Sequence, residues 1–154
     1  MMMKIVKRYK FLHTGLKSES GNETWKIGKW KKFDGELKMC FAGFHACKEP
    51  YHAFSYVQGE VLALAECRGE HLAEDNKECW REMRVIKAWA WTKKDSLKLA
   101  IFSAELVLKN FEKEYPDDLR PRKAIEAAKM VLSRDNSKNR SAAGSAAWQA
   151  AWQA

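Results

Sequence analysis

Cys40, His45, Cys47 and His52 crowd one short stretch, CFAGFHACKEPYH. Such a cluster binds zinc, activates a thiol or lines a ligand pocket. Its spacing, C-x4-H-x-C-x4-H, matches no common finger or knuckle, and no CxxC pair exists, so no metal site is expected. All four cysteines (Cys40, Cys47, Cys67, Cys79) are expected as reduced thiols, buried or pocket-lining. A nucleophilic Cys47 needs an adjacent histidine–carboxylate relay, which the sequence does not display. The stretch continues through Phe54 and Tyr56, with a glycine at each bend, to the Arg68-Gly69 pair. Rings and turns at that density describe a pocket wall. The candidate ligand-binding residues of this stretch are therefore His45, Tyr56 and Arg68. GxSxG, GxxxxGK, GxGxxG and HExxH are all absent, so serine-hydrolase, phosphate-loop and zincin chemistries are not supported.

The elements that position these residues follow from periodicity. Lys4 to His13 suits an opening strand, ended by His13-Thr14-Gly15 and the polar loop KSESGNET. Trp25, Ile27 and Trp30 predict short strands around an Asp34-Gly35 hairpin turn. Glu49-Pro50 starts a helix of about two turns, closed by Gly59. Val61 to Ala65 is a continuous apolar run, expected of a central strand. A polar excursion over residues 70–79 then leads into an alternating strand over residues 83–91. From Asp95 the spacing turns helical, with Leu97, Ile101, Ala104, Leu108 and Phe111 on one face and Thr92 or Asp95 as cap. A second helix starts near Pro121, with Ile125, Ala128, Val131 and Leu132 as its stripe. In the tail SAAGSAAWQAAWQA, Trp148 and Trp152 stand four residues apart on one helix face. Tryptophans on an alanine helix seek a partner surface, which makes both candidates for self-association and predicts a homo-oligomer. Strands first and helices after define an α+β chain. The expected parts are a sheet-rich domain (1–92), two helices of the same domain (93–135) and a helical tail (136–154).

Of the formal +8 charge, nearly all lies in residues 1–32, where nine Lys or Arg face only Glu19 and Glu23. Lys29, Lys31 and Lys32 are candidates for contact with an anion or an acidic partner. A lysine-guarded edge strand explains the same pattern. No apolar run is long enough to cross a bilayer. MMMKIVKRYKFL lacks a signal peptide's apolar middle, which predicts a cytoplasmic protein without membrane contact.

Residues 9–91 resemble a family of small, functionally uncharacterised proteins common in bacteriophages and prophages. The matching features are YKFL, W-x-x-G-K-W, C-x-x-GFHAC, the apolar strand before E-x-R-G, and DNKECWREMR. RPRKAIEAAK (120–129) is similar to helices found beside immunity-protein domains. This resemblance implies a phage-type accessory protein in a bacterial host cell, acting by binding as an inhibitor or in counter-defence. Separately, G-F-H-A-x(6)-A-F-S-Y-x(5)-L-A-L-A-E-C-R-G resembles a central block of ADP-ribosyltransferases of the poly(ADP-ribose) polymerase class. That comparison implies a nicotinamide held between His45, at one ring-stacking position, and Tyr56, at the other. It also implies a ribose bound near His13-Thr14-Gly15, which carries the family's triad with Gly and Thr exchanged and makes His13 a further candidate ligand-binding residue. The late-strand glutamate of such transferases has no counterpart, since the chain reads as helix after residue 92. Glu82 and Glu105 are the nearest candidates, and no catalytic residue is assigned. The expectation is a binding protein for a host or phage protein or a nucleotide-like anion, needing no cofactor, with NAD or a nucleotide as candidate ligand. An NAD-using ADP-ribosyltransferase and a nonspecific nucleic-acid binder are the alternatives.

Overall fold

Alternation in the opening residues forms β1 (Val6–Leu12), the first strand of a five-stranded antiparallel sheet. The structure, a computed structural model, describes residues 4–152, the side chain of Trp152 excepted. It is α+β: β2 (Lys31–Lys32), β3 (Phe44–Ala46), α1 (Pro50–Tyr56), β4 (Val61–Ala73) and β5 (Glu78–Ala90) precede three helices. These are α2 (Lys93–Glu114), α3 (Arg120–Ser133) and α4 (Ser137–Trp152). The chain divides into two compact units between Trp91 and Thr92.

In the first unit the strands run in the order β1-β4-β5-β2, and β3 also pairs with β5. The β4–β5 hairpin is its spine. Register shifts between Leu64 and Ala65 and between Arg68 and His71 mark bulges that bend and twist its long arms. The far end of β5 reaches β3 through Phe44↔Trp80, His45↔Cys79 and Ala46↔Glu78. Just past β3, Cys47 and Tyr9 exchange both main-chain hydrogen bonds, each 2.8 Å. Backbone pairing thus runs β1–β4–β5–β3 and returns to β1, so the sheet closes on itself like a small barrel.

Closure creates an inside. Leu12, Ala63, Ala65, Cys67, Met83 and Val85 fill it with Trp25, Phe44, Ala46 and Trp80. The two alanines on β4 leave room for the bulky rings opposite. Core-facing positions on β1 are the even ones, because side chains alternate along a strand. A second cluster lies where α1 covers β1: Phe11, Cys47 and Ala53, with Tyr9, Phe54, Val57, Leu62 and Trp91 against them. Phe11 meets Phe54 and Trp91 edge-on at 5.1 and 5.5 Å. The register pairs Arg68–Glu82 and Arg84–Glu66 are also ion pairs, with the Trp30 ring stacked on both guanidiniums.

Four readings of the sequence change here. Residues 25–30 form no strand: Trp25 is anchored in the core with its indole N–H on Ser18 Oγ at 2.9 Å, and the chain turns at Gly28. No hairpin forms at Asp34-Gly35, since β2 pairs with β5 instead. The polar stretch 70–79 is the far end of the β4–β5 hairpin, where residues 70–73 are exposed strand without apolar alternation while Glu78 and Cys79 are buried. Gly59 does not close α1, whose C-cap is Val57.

In the second unit, Thr92 and Asp95 form a reciprocal capping box at the start of α2. Ile101 and Leu108 pack on Ile125 of α3, with Leu97, Ala104, Ala128 and Leu132 around them. Glu105–Lys129 and Glu112–Arg122 tie the two helices together. The tail is helical as α4 and packs on α3. Trp148 is 62% exposed, and the Trp152 side chain lies outside the described residues. No described helix is long and apolar enough to cross a membrane.

Candidate ligand-binding cleft

β1 contributes Tyr9, Lys10 and Phe11 to one wall of a cleft of ≈ 680 Å³ in the sheet unit. β3 supplies the floor with Phe44, His45 and Ala46, and α1 supplies Ala53, Tyr56 and Val57. Loop residues Phe33, Cys40 and Phe41, with Lys77 from the β4–β5 turn, complete the rim. A volume of this size suits a small organic ligand. A smaller hollow of ≈ 350 Å³ lies beside Arg8, His71 and Trp80. Its guanidinium is already forked onto Glu78, so the larger cleft is the better candidate.

His45 and Tyr56 both line this cleft. His45 Nε2 accepts the Cys40 N–H at 2.8 Å, and its ring also bonds the Gly43 main chain. Burial, then the charges of Lys10 and Lys77, push its pKa below the usual histidine value. It is a neutral imidazole whose nitrogens are spent on its own loop, so a ligand would meet the ring rather than a hydrogen-bonding atom. Gly43 makes this possible: its φ is +110, and a β-carbon there would stand only 2.5 Å from Cys79 Sγ. Tyr56 donates its hydroxyl to Asn76 Oδ1 at 2.5 Å, while Lys77 Nζ stands 5.1 Å from its ring centroid. The Lys77 ammonium donates to Cys40 Sγ at 2.9 Å and pairs with Glu74 at 3.3 Å. Those bonds, Cys40's first, hold its pKa above the usual lysine value.

Lys10 was not singled out by sequence, yet it is the least expected group in the cleft. It occupies an even, core-facing position on β1 between Arg8 and Leu12, and its Nζ lies 4.9 Å from the Trp25 ring centroid. Burial brings its pKa down to about 8, against the pull of Cys67, Cys47 and Glu23. A lysine on the core side of an alternating strand was the available signal. Lys77 had none, because the hairpin turn that delivers it lies within the polar excursion of residues 70–79.

The sign of the Lys10 effect follows from linkage. Between about 8 and 10.5 the unfolded chain holds the proton that the folded chain has lost, so stability rises with pH across that window. Below about 8 both states are protonated and the full cost of the buried charge applies. Lys10→Met keeps the stem and removes the charge. It is expected to gain about 2 kcal/mol at pH 7 after partial solvent screening. Urea unfolding of the variant should also lose the alkaline rise in stability.

The other sequence candidates lie elsewhere. His13 pairs with Glu19 and sits 3.4 Å from Glu60; its hydrogen bond to Glu19 heads the causes that raise its pKa. Arg68 belongs to the Trp30-covered ion-pair ladder and is not among the cleft residues. Lys31 pairs with Glu23 and Lys32 with Asp34, while Lys29 stands exposed on its loop. Cys47 is buried, which pushes its thiol up to about 11 and leaves it a poor nucleophile. Among the described residues, no three His, Cys, Asp or Glu side chains gather as a metal site would require.

Fold and cleft together define a class: a closed antiparallel sheet unit with a ring- and lysine-lined cavity, followed by a helical unit. The chain belongs to the family described as Domain of unknown function (DUF7666), whose signature matches residues 6–95. That span covers the sheet unit and ends in the first turn of α2. No curated protein and no solved structure matches the chain.

Proposed function

We propose that the sheet unit is a binding module for a small anion carrying a flat ring, such as a nucleotide. One observation carries this reading: a single cleft gathers the rings of Phe33, Phe41, His45 and Tyr56 with the cations Lys10 and Lys77. Aromatic faces hold a planar ring by stacking, and ammonium groups at wall and rim attract its phosphate. Binding is favoured over catalysis because the cleft's carboxylates are engaged, Glu19 by His13 and Glu23 by Lys31. The role we attach to this module is that of a phage-type accessory protein in the host cytoplasm. It would inhibit or counter a host function by holding such a ligand or its protein carrier. A second copy would attach through α4, where Trp148 is exposed.

Calorimetry with NAD, ADP-ribose and AMP tests the reading. Saturable binding is expected for at least one of them. Tyr56→Ala should weaken it about tenfold, equivalent to about 1.4 kcal/mol of lost stacking, with an unchanged melting temperature. Three flat titrations would overturn the proposal. Nicotinamide release from labelled NAD would replace it with the NAD-using transferase.

A further inference from the structure

Lys10 carries a capacity that ligand stacking leaves unused. Among the cleft's charged groups, Lys77 is held by Cys40 and Glu74, Glu19 by His13, and Glu23 by Lys31. No ion pair engages Lys10 among the described residues. Its ammonium nitrogen lies over the face of Trp25. The titratable neighbours that act on it are Cys67, Cys47 and Glu23, and it acts in turn on His45. None of these competes for an electrophile: both thiols are held protonated by burial, and the imidazole's nitrogens are bonded to main chain. What remains is a primary amine on the wall of a cleft lined by aromatic rings.

We propose that Lys10 is a covalent capture site for small ring-bearing aldehydes or ketones, which it binds as an imine. The amine lone pair forms a C–N bond to the carbonyl carbon, and the carbonyl π electrons move to oxygen. A proton passes from nitrogen to that oxygen, giving a carbinolamine. Loss of water then leaves the C=N bond, so nothing is oxidised or reduced. Burial assists the first step, which needs the free amine. At pH 7 a lysine at about 8 is unprotonated about one time in ten, against about one in three thousand for an ordinary lysine. The inference rests on the cleft being a ligand site, since the same rings must hold the carbonyl compound.

Pyridoxal 5′-phosphate is a suitable probe, having a flat ring, an anion and an aldehyde. Pyridoxine 5′-phosphate, which lacks the aldehyde, serves as the non-covalent control. After cyanoborohydride trapping at pH 7 and peptide mapping, Lys10 should be labelled at least tenfold faster than any other lysine. Lys10→Arg keeps the charge but cannot form the imine, and should abolish that label while the protein stays folded by circular dichroism. Lys10→Gln, which also removes the charge, serves if the arginine variant folds poorly; it should abolish the label and weaken binding of the control. Label spread evenly over the lysines, with the control still binding, would overturn imine capture and leave the binding module intact. Label on Lys10 with no binding of the control would show a reactive amine without a ring site, and would overturn both the ring-directed capture and the module.

Discussion

Glu78→Ala is expected to remove about 3–5 kcal/mol of stability, the usual consequence of breaking a buried ion pair from one side. Glu78 is 2% exposed. It takes Arg8 Nε at 2.5 Å and Arg8 Nη2 at 3.0 Å, receives the Trp80 indole N–H at 2.8 Å, and lies 3.8 Å from Lys48 Nζ. Truncation leaves the Arg8 guanidinium, itself only 17% exposed, and a buried indole N–H without their acceptor. Glu78→Gln should cost less, since one amide oxygen still accepts.

The pH dependence gives an independent check. Burial alone would raise the Glu78 pKa, but hydrogen bonds from Arg8 and Trp80, with the charges of Arg8 and Lys48, outweigh it and hold it below 4.5. A depressed carboxyl stabilises the fold in its ionised form. Its contribution is complete above pH 4.5 and is lost as pH falls through the lower folded value. The gap between native protein and variant in urea unfolding should therefore close on acidification. A constant gap down to the lowest pH at which both fold would show that the ion pair is not the source.

Gly59→Ala is expected to destabilise the sheet unit by about 3 kcal/mol, through overpacking against main chain. A methyl group at residue 59 would lie 2.7 Å from the Leu12 carbonyl carbon, and closer still to its oxygen. Leu12 is fully buried and is paired with Val61 in the β1–β4 register, so neither side can step back cheaply. The relief available is to part the end of β1 from the start of β4. Hydrogen exchange should show that opening as faster exchange at the amides of Phe11, Leu12 and Leu62. Normal stability with unchanged exchange would mean that the methyl group fits without parting the strands, and would end the overpacking argument.

Much of this architecture was legible because local chemistry and global fold agree. Thr92 and Asp95 read as alternative caps, and α2 starts between them with Thr92 as the cap and Asp95 completing the box. Glu49-Pro50 starts α1, and the alternation before His13 is β1. Legibility failed where a residue's environment is built by distant chain. Trp25 and Trp30 read as strand aromatics, but one is a core plug tied to Ser18 and the other a lid on two arginines. His45 read as a pocket-lining, ring-stacking residue, and nothing in the sequence signalled that its nitrogens organise the Cys40–Gly43 turn. Glu78 drew no notice and Gly59 read only as a helix stop, because a buried carboxylate and a crowded glycine look ordinary until their neighbours are known.

By itself, the amino-acid order determined the α+β class, the strand-then-helix arrangement and the ring-rich stretch around His45 and Tyr56. Periodicity, caps and turn residues act over a few positions, and that range suffices for such features. Tertiary structure alone decided that β3 closes the sheet onto β1, that Lys10 and Lys77 flank the cleft, and that Arg68 does not. Those outcomes depend on bulges and pairings between segments far apart in sequence, where burial and charge are set by whatever the fold brings alongside.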